Sequence, residues 1–291
     1  MTTDLVAAGQ EMVELLSRGT DAGAVDRLGR CAVSCEAGLH AAITTFTSGE
    51  MSVDTVREFL DAAPDEALLA RALPLVAYGS PRSHRAVARA VAFQGRRALS
   101  AEESGGLGLR FAIVGRLTWA LCAQAVAAER LDFLTSMAAA HLPVPAWSSP
   151  QPDVTRDTRL RYCAAVTPGQ DGNAQTTFEY YRDWLASRSW LDQVAPYLAA
   201  DIDNAVAAAD ILLCLGAAQL GRPVYSAGLS VIATGGLGGL VGADKDAIQG
   251  YLGIASVDAD ALSELWERVE VSQDRLFDKP GVEWLLGSTV A

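Results

Sequence analysis

The sequence predicts an all-α fold, and three observations carry that prediction. Apolar residues recur at spacings of three and four along most of the 291 residues, few segments alternate with period two, and proline and glycine punctuate the periodic runs. Asp4 caps a first helix running to about Arg18, and a second spans Ala24 to Phe46 until Ser48-Gly49 stops it. Ser52 caps a short helix through Val53, Val56, Phe59 and Leu60. Pro64 and Pro74 punctuate the next stretch, and Ser80-Pro81 opens a helix to about Leu99. Segments 52–62, 65–78 and 81–99 can stack as helical hairpins, although no residue signature repeats at a fixed period. After Gly105-Gly106 comes the longest run, in which Phe111, Val114, Leu117, Leu121, Ala125, Ala128 and Leu131 form one stripe. That stripe predicts a central helix of about thirty residues, ending near His141-Leu142-Pro143.

Residues 142–157 carry Pro143, Pro145, Pro150 and Pro152, which remove backbone donors and disfavour helix in the residues before them. They divide the chain into an N-terminal helical region (1–141), a Pro-rich connector (142–157) and a C-terminal helical region (158–291). The architecture is then either one extended multi-helix bundle, a helical-hairpin array, or two packed helical subdomains. Charge shifts across the connector: 13 basic and 16 acidic residues precede it, 10 and 19 lie from residue 142 onward.

The second half resumes with a helix over 158–165 and a turn at 168–173, followed by helices over 174–187, 190–199 and 201–220. Arg222-Pro223 breaks that run, and helix resumes near Ala243. A final amphipathic helix extends from Asp258 to Phe277, with Leu262, Leu265, Trp266, Val269 and Leu276 inward and its acids at the amino end, where the helix dipole favours them.

Composition excludes several classes. With 50% apolar residues the chain can offset its ordering entropy, so global disorder is ruled out. A net charge of -12 and a pI near 4.7 argue against general affinity for nucleic acid or anionic membrane. Cys31, Cys35, Cys122, Cys163 and Cys214 are dispersed and odd in number, unlike a secreted disulfide scaffold, and residues 1–17 hold acids where a signal peptide needs an unbroken apolar core. The expected location is cytoplasmic. Lys245 and Lys279 are the only lysines, a bias of genome composition rather than chemistry.

Between Glu66 and Glu102 there is no acidic residue, while Arg71, Arg82, Arg85, Arg89, Arg96 and Arg97 accumulate. At helical periodicity Arg82, Arg85, Arg89 and Arg96 fall within about 60° of one another, and Val87 and Val91 point the other way. Such a stripe suits a solvated face or intramolecular salt bridges, a protein partner, or a small anion or nucleic acid, and His84 beside it reads as a surface group with a switchable charge.

Residues 223–243 carry no charge, but six glycines favour a buried hairpin or tight crossing over a membrane span. Their Gly235-Gly236-Leu237-Gly238-Gly239 run lacks the lysine of a phosphate loop. His40, His84 and His141 show no ligand spacing, and Cys31 with Cys35 lacks a second ligand pair, so no metal or other cofactor is expected. Asp201-Ile202-Asp203 is too short for an aspartate-rich magnesium motif.

Two functional readings lead, ahead of a membrane-active protein using residues 205–243. The leading one is a non-enzymatic cytoplasmic interaction or adaptor protein whose arginine-bearing helix (Arg82, Arg85, Arg89, Arg96) docks on an acidic protein partner or on a second copy. The alternative is an enzyme or ligand-binding protein with an aromatic and carboxylate pocket between C-terminal helices. There Phe178, Tyr181 and Trp184 would hold a small apolar ligand, and Asp210, Glu179 and Asp183 would supply the acid-base groups.

Overall fold

A computed structural model of the chain describes residues 2–46, 53–95, 104–140, 174–219, 224–226, 240–271, 279 and 281–286. Among them the fold is all-α, a multi-helix bundle of fourteen helices with one pair of three-residue strands. The first half supplies α1 (Thr2–Ser17), α2 (Asp21–Phe46), α3 (Val53–Ala62), α4 (Glu66–Tyr78), α5 (Pro81–Gln94), α6 (Ser104–Ala127) and α7 (Asp132–Ala138). The second supplies α8 (Ala174–Ala186), α9 (Leu191–Val194), α10 (Pro196–Ala200), α11 (Ile202–Ala218), β1 (Val224–Ser226), α12 (Lys245–Leu252), α13 (Ala259–Arg268), β2 (Val269–Val271) and α14 (Val282–Leu285).

Two helices are apolar around nearly their whole circumference, and such helices are stable only when covered on all sides. Along α4, Leu68, Leu69, Leu73, Leu75 and Val76 are fully buried; each contributes about 1.5–3 kcal/mol before conformational entropy is subtracted. It lies among α1, α2, α5 and α6. From Ala205 to Ala218, α11 is buried at every position and packs on α6. Helices from both sides of residues 142–157 therefore enter one contiguous core. α1 approaches so closely that a Cβ on Gly9 would sit 2.7 Å from both Val194 methyls and 3.2 Å from the Ala70 carbonyl.

Several boundaries differ from those expected. While α4 covers the expected segment 65–78 with Pro74 inside it, the backbone bond lost there being offset by the burial around it, others shift. Gly105-Gly106 falls within the first turn of α6, and the expected thirty-residue helix stops at Ala127. There Glu129 turns left-handed (φ 54°), the Arg130 amide donates to the Ala125 carbonyl (2.7 Å) and the Glu129 amide to Val126 (3.1 Å), a Schellman closure before α7. The segment 190–199 splits into α9 and α10 because Ala195, preceding Pro196, leaves the helical region (φ -138°, ψ 65°).

The last long helix ends at Arg268, nine residues before its expected end at Phe277. Val269-Glu270-Val271 instead pairs in parallel with Val224-Tyr225-Ser226. Three-residue strands lie below what hydrophobic periodicity resolves, and β-branched valines favour the pleat once a partner is present. The connector 142–157, the expected helix at 158–165, the turn at 168–173 and residues 227–239 lie outside the described residues. No helix among the described residues is long and apolar enough to cross a membrane.

Candidate functional site

α5 is fixed at its start by three neighbours. Pro81 occupies the first helical position, and the preceding Ser80 turns its hydroxyl away from the helix end to donate to the Asp21 carboxylate on α2. Arg130 donates to the carbonyls of Ala77 (3.1 Å) and Gly79 (3.0 Å), satisfying acceptors that the end of α4 leaves open. The same guanidinium holds Asp132 at 3.1 Å. One face of α5 then buries Val87, Ala88 and Val91.

His84 belongs to that buried face, so its reading as a surface switch is corrected: it has no solvent exposure. Its Nε2 lies 3.2 Å from the Val76 carbonyl, its Nδ1 3.3 Å from Asp132 Oδ2, and its ring meets Phe133 edge-on at 5.6 Å. Burial pushes the imidazole below its ordinary pKa, against the pull of Asp132. The position is buried because it precedes Val87, Ala88 and Val91 by three, four and seven residues and so shares their core-facing side of the helix.

Arg82, Arg85 and Arg89 are exposed on the opposite face, and Arg96 lies outside the described residues. None of the three has a carboxylate partner among the described residues. Every other arginine with a described side chain, Arg71 apart, is paired, from Arg18 with Glu14 to Arg268 with Glu264. In a chain of net charge -12 these three guanidinium groups form a positive strip with no counter-charge paired to it among the described residues.

The C-terminal aromatic and carboxylate residues occupy two environments. Phe178, Tyr181 and Trp184 are buried; Trp119 packs against the first two at 5.9 and 5.2 Å, and the Arg116 guanidinium lies 4.3 Å over the Trp184 ring. Glu179 and Asp183 face solvent, the latter beside Arg182 at 2.9 Å. Asp210 is 3% exposed and accepts a hydrogen bond from Ser226 of β1 at 2.6 Å. The same carboxylate lies one turn from the Cys214 thiol, which burial holds well above its usual pKa.

Sequence reasoning missed the charge that organises this region. Arg116, inside the apolar run of α6, donates through Nε to Asp65 at 3.0 Å and through Nη1 to the Leu60 carbonyl at 2.7 Å. Burial opposes both charges: it raises the Asp65 carboxyl against the pull of Arg116, while the Asp65 carboxylate more than offsets the same penalty on Arg116. An arginine on an otherwise apolar stripe was the available signal, since a buried charge requires a partner. Among the described residues no group of three histidine, cysteine or acidic side chains could hold a metal ion. No protein-family model matches the chain, and no curated protein or solved structure gives a significant match to it.

Proposed function

We propose that this chain is a non-enzymatic cytoplasmic interaction protein that docks an acidic protein surface against α5. The observation that carries the reading is the strip of Arg82, Arg85 and Arg89, exposed and without a carboxylate partner among the described residues, while every other arginine with a described side chain except Arg71 is paired. Such a strip adds little to folding. It steers an acidic partner into register, and guanidinium forks match carboxylates geometrically. Among the described residues Cys31, Cys35, Cys122 and Cys214 form no disulfide, which supports a reducing location.

The test compares the wild-type chain with Arg82→Glu/Arg85→Glu/Arg89→Glu in affinity capture from the native host and in native mass spectrometry. The expected result is an acidic captured protein that is lost from the triple variant and released as salt rises. Retention of the same partner and oligomeric state by the triple variant overturns the proposal. A second copy as the captured chain places the docking between identical protomers.

A further inference from the structure

Where α1, α2 and α4 meet, three arginines surround a surface cleft of about 400 Å³. Its wall includes Glu11, Arg27, Arg30, Cys31, Ser34 and Arg71. Arg27 is paired with Glu11 at 3.0 Å and Arg30 with Asp26 at 2.7 Å, but all four side chains remain more than a third exposed. Exposed pairs of this kind are weak, so both guanidinium groups can turn to a stronger acceptor.

Arg71 is different. It is partly buried and has no carboxylate partner among the described residues. Its Nη1 donates to the Ala67 carbonyl at 2.9 Å, one turn back, and lies 3.7 Å from Cys31 Sγ. A guanidinium carries five N–H donors, and these contacts engage one nitrogen. A partly desolvated cation facing a cleft is an incomplete arrangement, because withdrawal from water is offset only when a counter-charge is supplied. Arg27 and Arg30 are matched by Glu11 and Asp26, so among the three arginines of the wall the charge of Arg71 is left over, a local excess of one positive charge in an acidic chain.

We infer that this cleft binds a small molecule bearing a phosphate monoester. A phosphate supplies the counter-charge that Arg71 lacks and can draw Arg27 and Arg30 from their weak exposed pairs, and its tetrahedral oxygens accept from donors approaching from both α2 and α4, which a planar carboxylate does less well. The volume suits a metabolite-sized ligand. Burial raises the Cys31 thiol above its usual pKa despite the nearby Arg71, so the thiol stays neutral and places no second negative charge beside the anion. Arg82, Arg85 and Arg89 do not line the cleft, so the inference stands apart from the docking role of α5.

The experiment titrates the full chain with phenyl phosphate, a phosphate monoester, by calorimetry and follows the rate at which an aromatic disulfide reagent labels Cys31, with Cys31→Ser as the reference. The expected result is saturable one-to-one binding, slower Cys31 labelling at saturation, about tenfold or more weaker binding in Arg71→Gln, and unchanged binding in Arg85→Gln. If Arg71→Gln does not fold by circular dichroism, the exposed Arg30→Gln replaces it and weaker binding is again expected. Absence of saturable binding, or unchanged affinity in the folded cleft variant, overturns the proposal. Tighter binding of citrate than of phenyl phosphate overturns the assignment to phosphate.

Discussion

Arg116 and Asp65 meet in a two-pronged ion pair with neither side chain more than 1% exposed. Asp65 stands at the N-cap position of α4 yet makes no side-chain cap bond, because its carboxylate is turned to the arginine. Removing one partner leaves the other charged, buried and unpaired. Asp65→Ala is therefore expected to lower the unfolding free energy by about 3–5 kcal/mol in urea melts. The apolar double variant Asp65→Leu/Arg116→Met is expected to lose less than Asp65→Ala alone.

The buried His84 predicts a specific pH response. Its folded pKa lies below the unfolded value of about 6.5, so the unfolded chain binds more protons between the two values and stability rises with pH there. The contribution is complete above the unfolded pKa and is lost as pH falls through the folded one. Asp132 adds a lower window: burial works against its charge, but hydrogen bonds from Arg130 hold its carboxyl below the usual range, so its share is lost under more acidic conditions. Denaturant midpoints between pH 7.5 and pH 5 should fall for the wild type and fall less for His84→Gln. Parallel curves would assign the acid response to other groups.

Glu129 adopts a left-handed conformation that glycine enters without the Cβ penalty, and it sits at the closing position of α6. Glu129→Gly should raise stability by about 1 kcal/mol, read as an upward shift of the urea midpoint.

A Cβ at Gly9 has no room against the Val194 methyls. Gly9→Ala is expected to cost about 1–3 kcal/mol through overpacking. Combining it with Val194→Ala should recover part of that loss, and a purely additive loss would locate the strain elsewhere.

Arg82→Ala/Arg85→Ala/Arg89→Ala removes three exposed side chains with no described carboxylate partner. Its unfolding free energy is expected to stay within about 0.5 kcal/mol of the wild type per substitution, since exposed sites away from packed features contribute little. A larger loss would mean that the strip serves the fold.

Long amphipathic runs made the helical class readable from sequence: the stripe of Leu117, Leu121 and Ala125 on α6 is buried as its spacing predicts. Asp258, placed by the sequence at the amino end of the last long helix, caps α13 there, accepting from the Ala261 amide at 2.9 Å. What periodicity could not resolve were features decided by distant partners. Val269 and Val271 continue an apolar pattern until β1 captures them, and Glu129 gives no glycine signal for the left-handed turn it makes. The same limit applied to the candidate sites. Spacing separated the outward arginines of α5 from Val87 and Val91, but it could not place Asp132 beneath His84 or bring Arg71 beside Cys31, because those neighbours come from other helices.

Glu66, at the start of α4, pairs with Arg188 and accepts from the Trp190 indole at 3.2 Å, a contact spanning 124 residues. During synthesis that glutamate leaves the ribosome long before its partners do. At typical elongation rates the delay is roughly 6–25 seconds, far longer than a helix needs to form. Over that interval the apolar flank of α4 depends on α1 and α2, and then on α5 and α6, for cover. The order of emergence thus makes the first helices a temporary shelter for the core. Slowed elongation before residue 188 should lengthen chaperone occupancy of the nascent chain more than slowed elongation after residue 219.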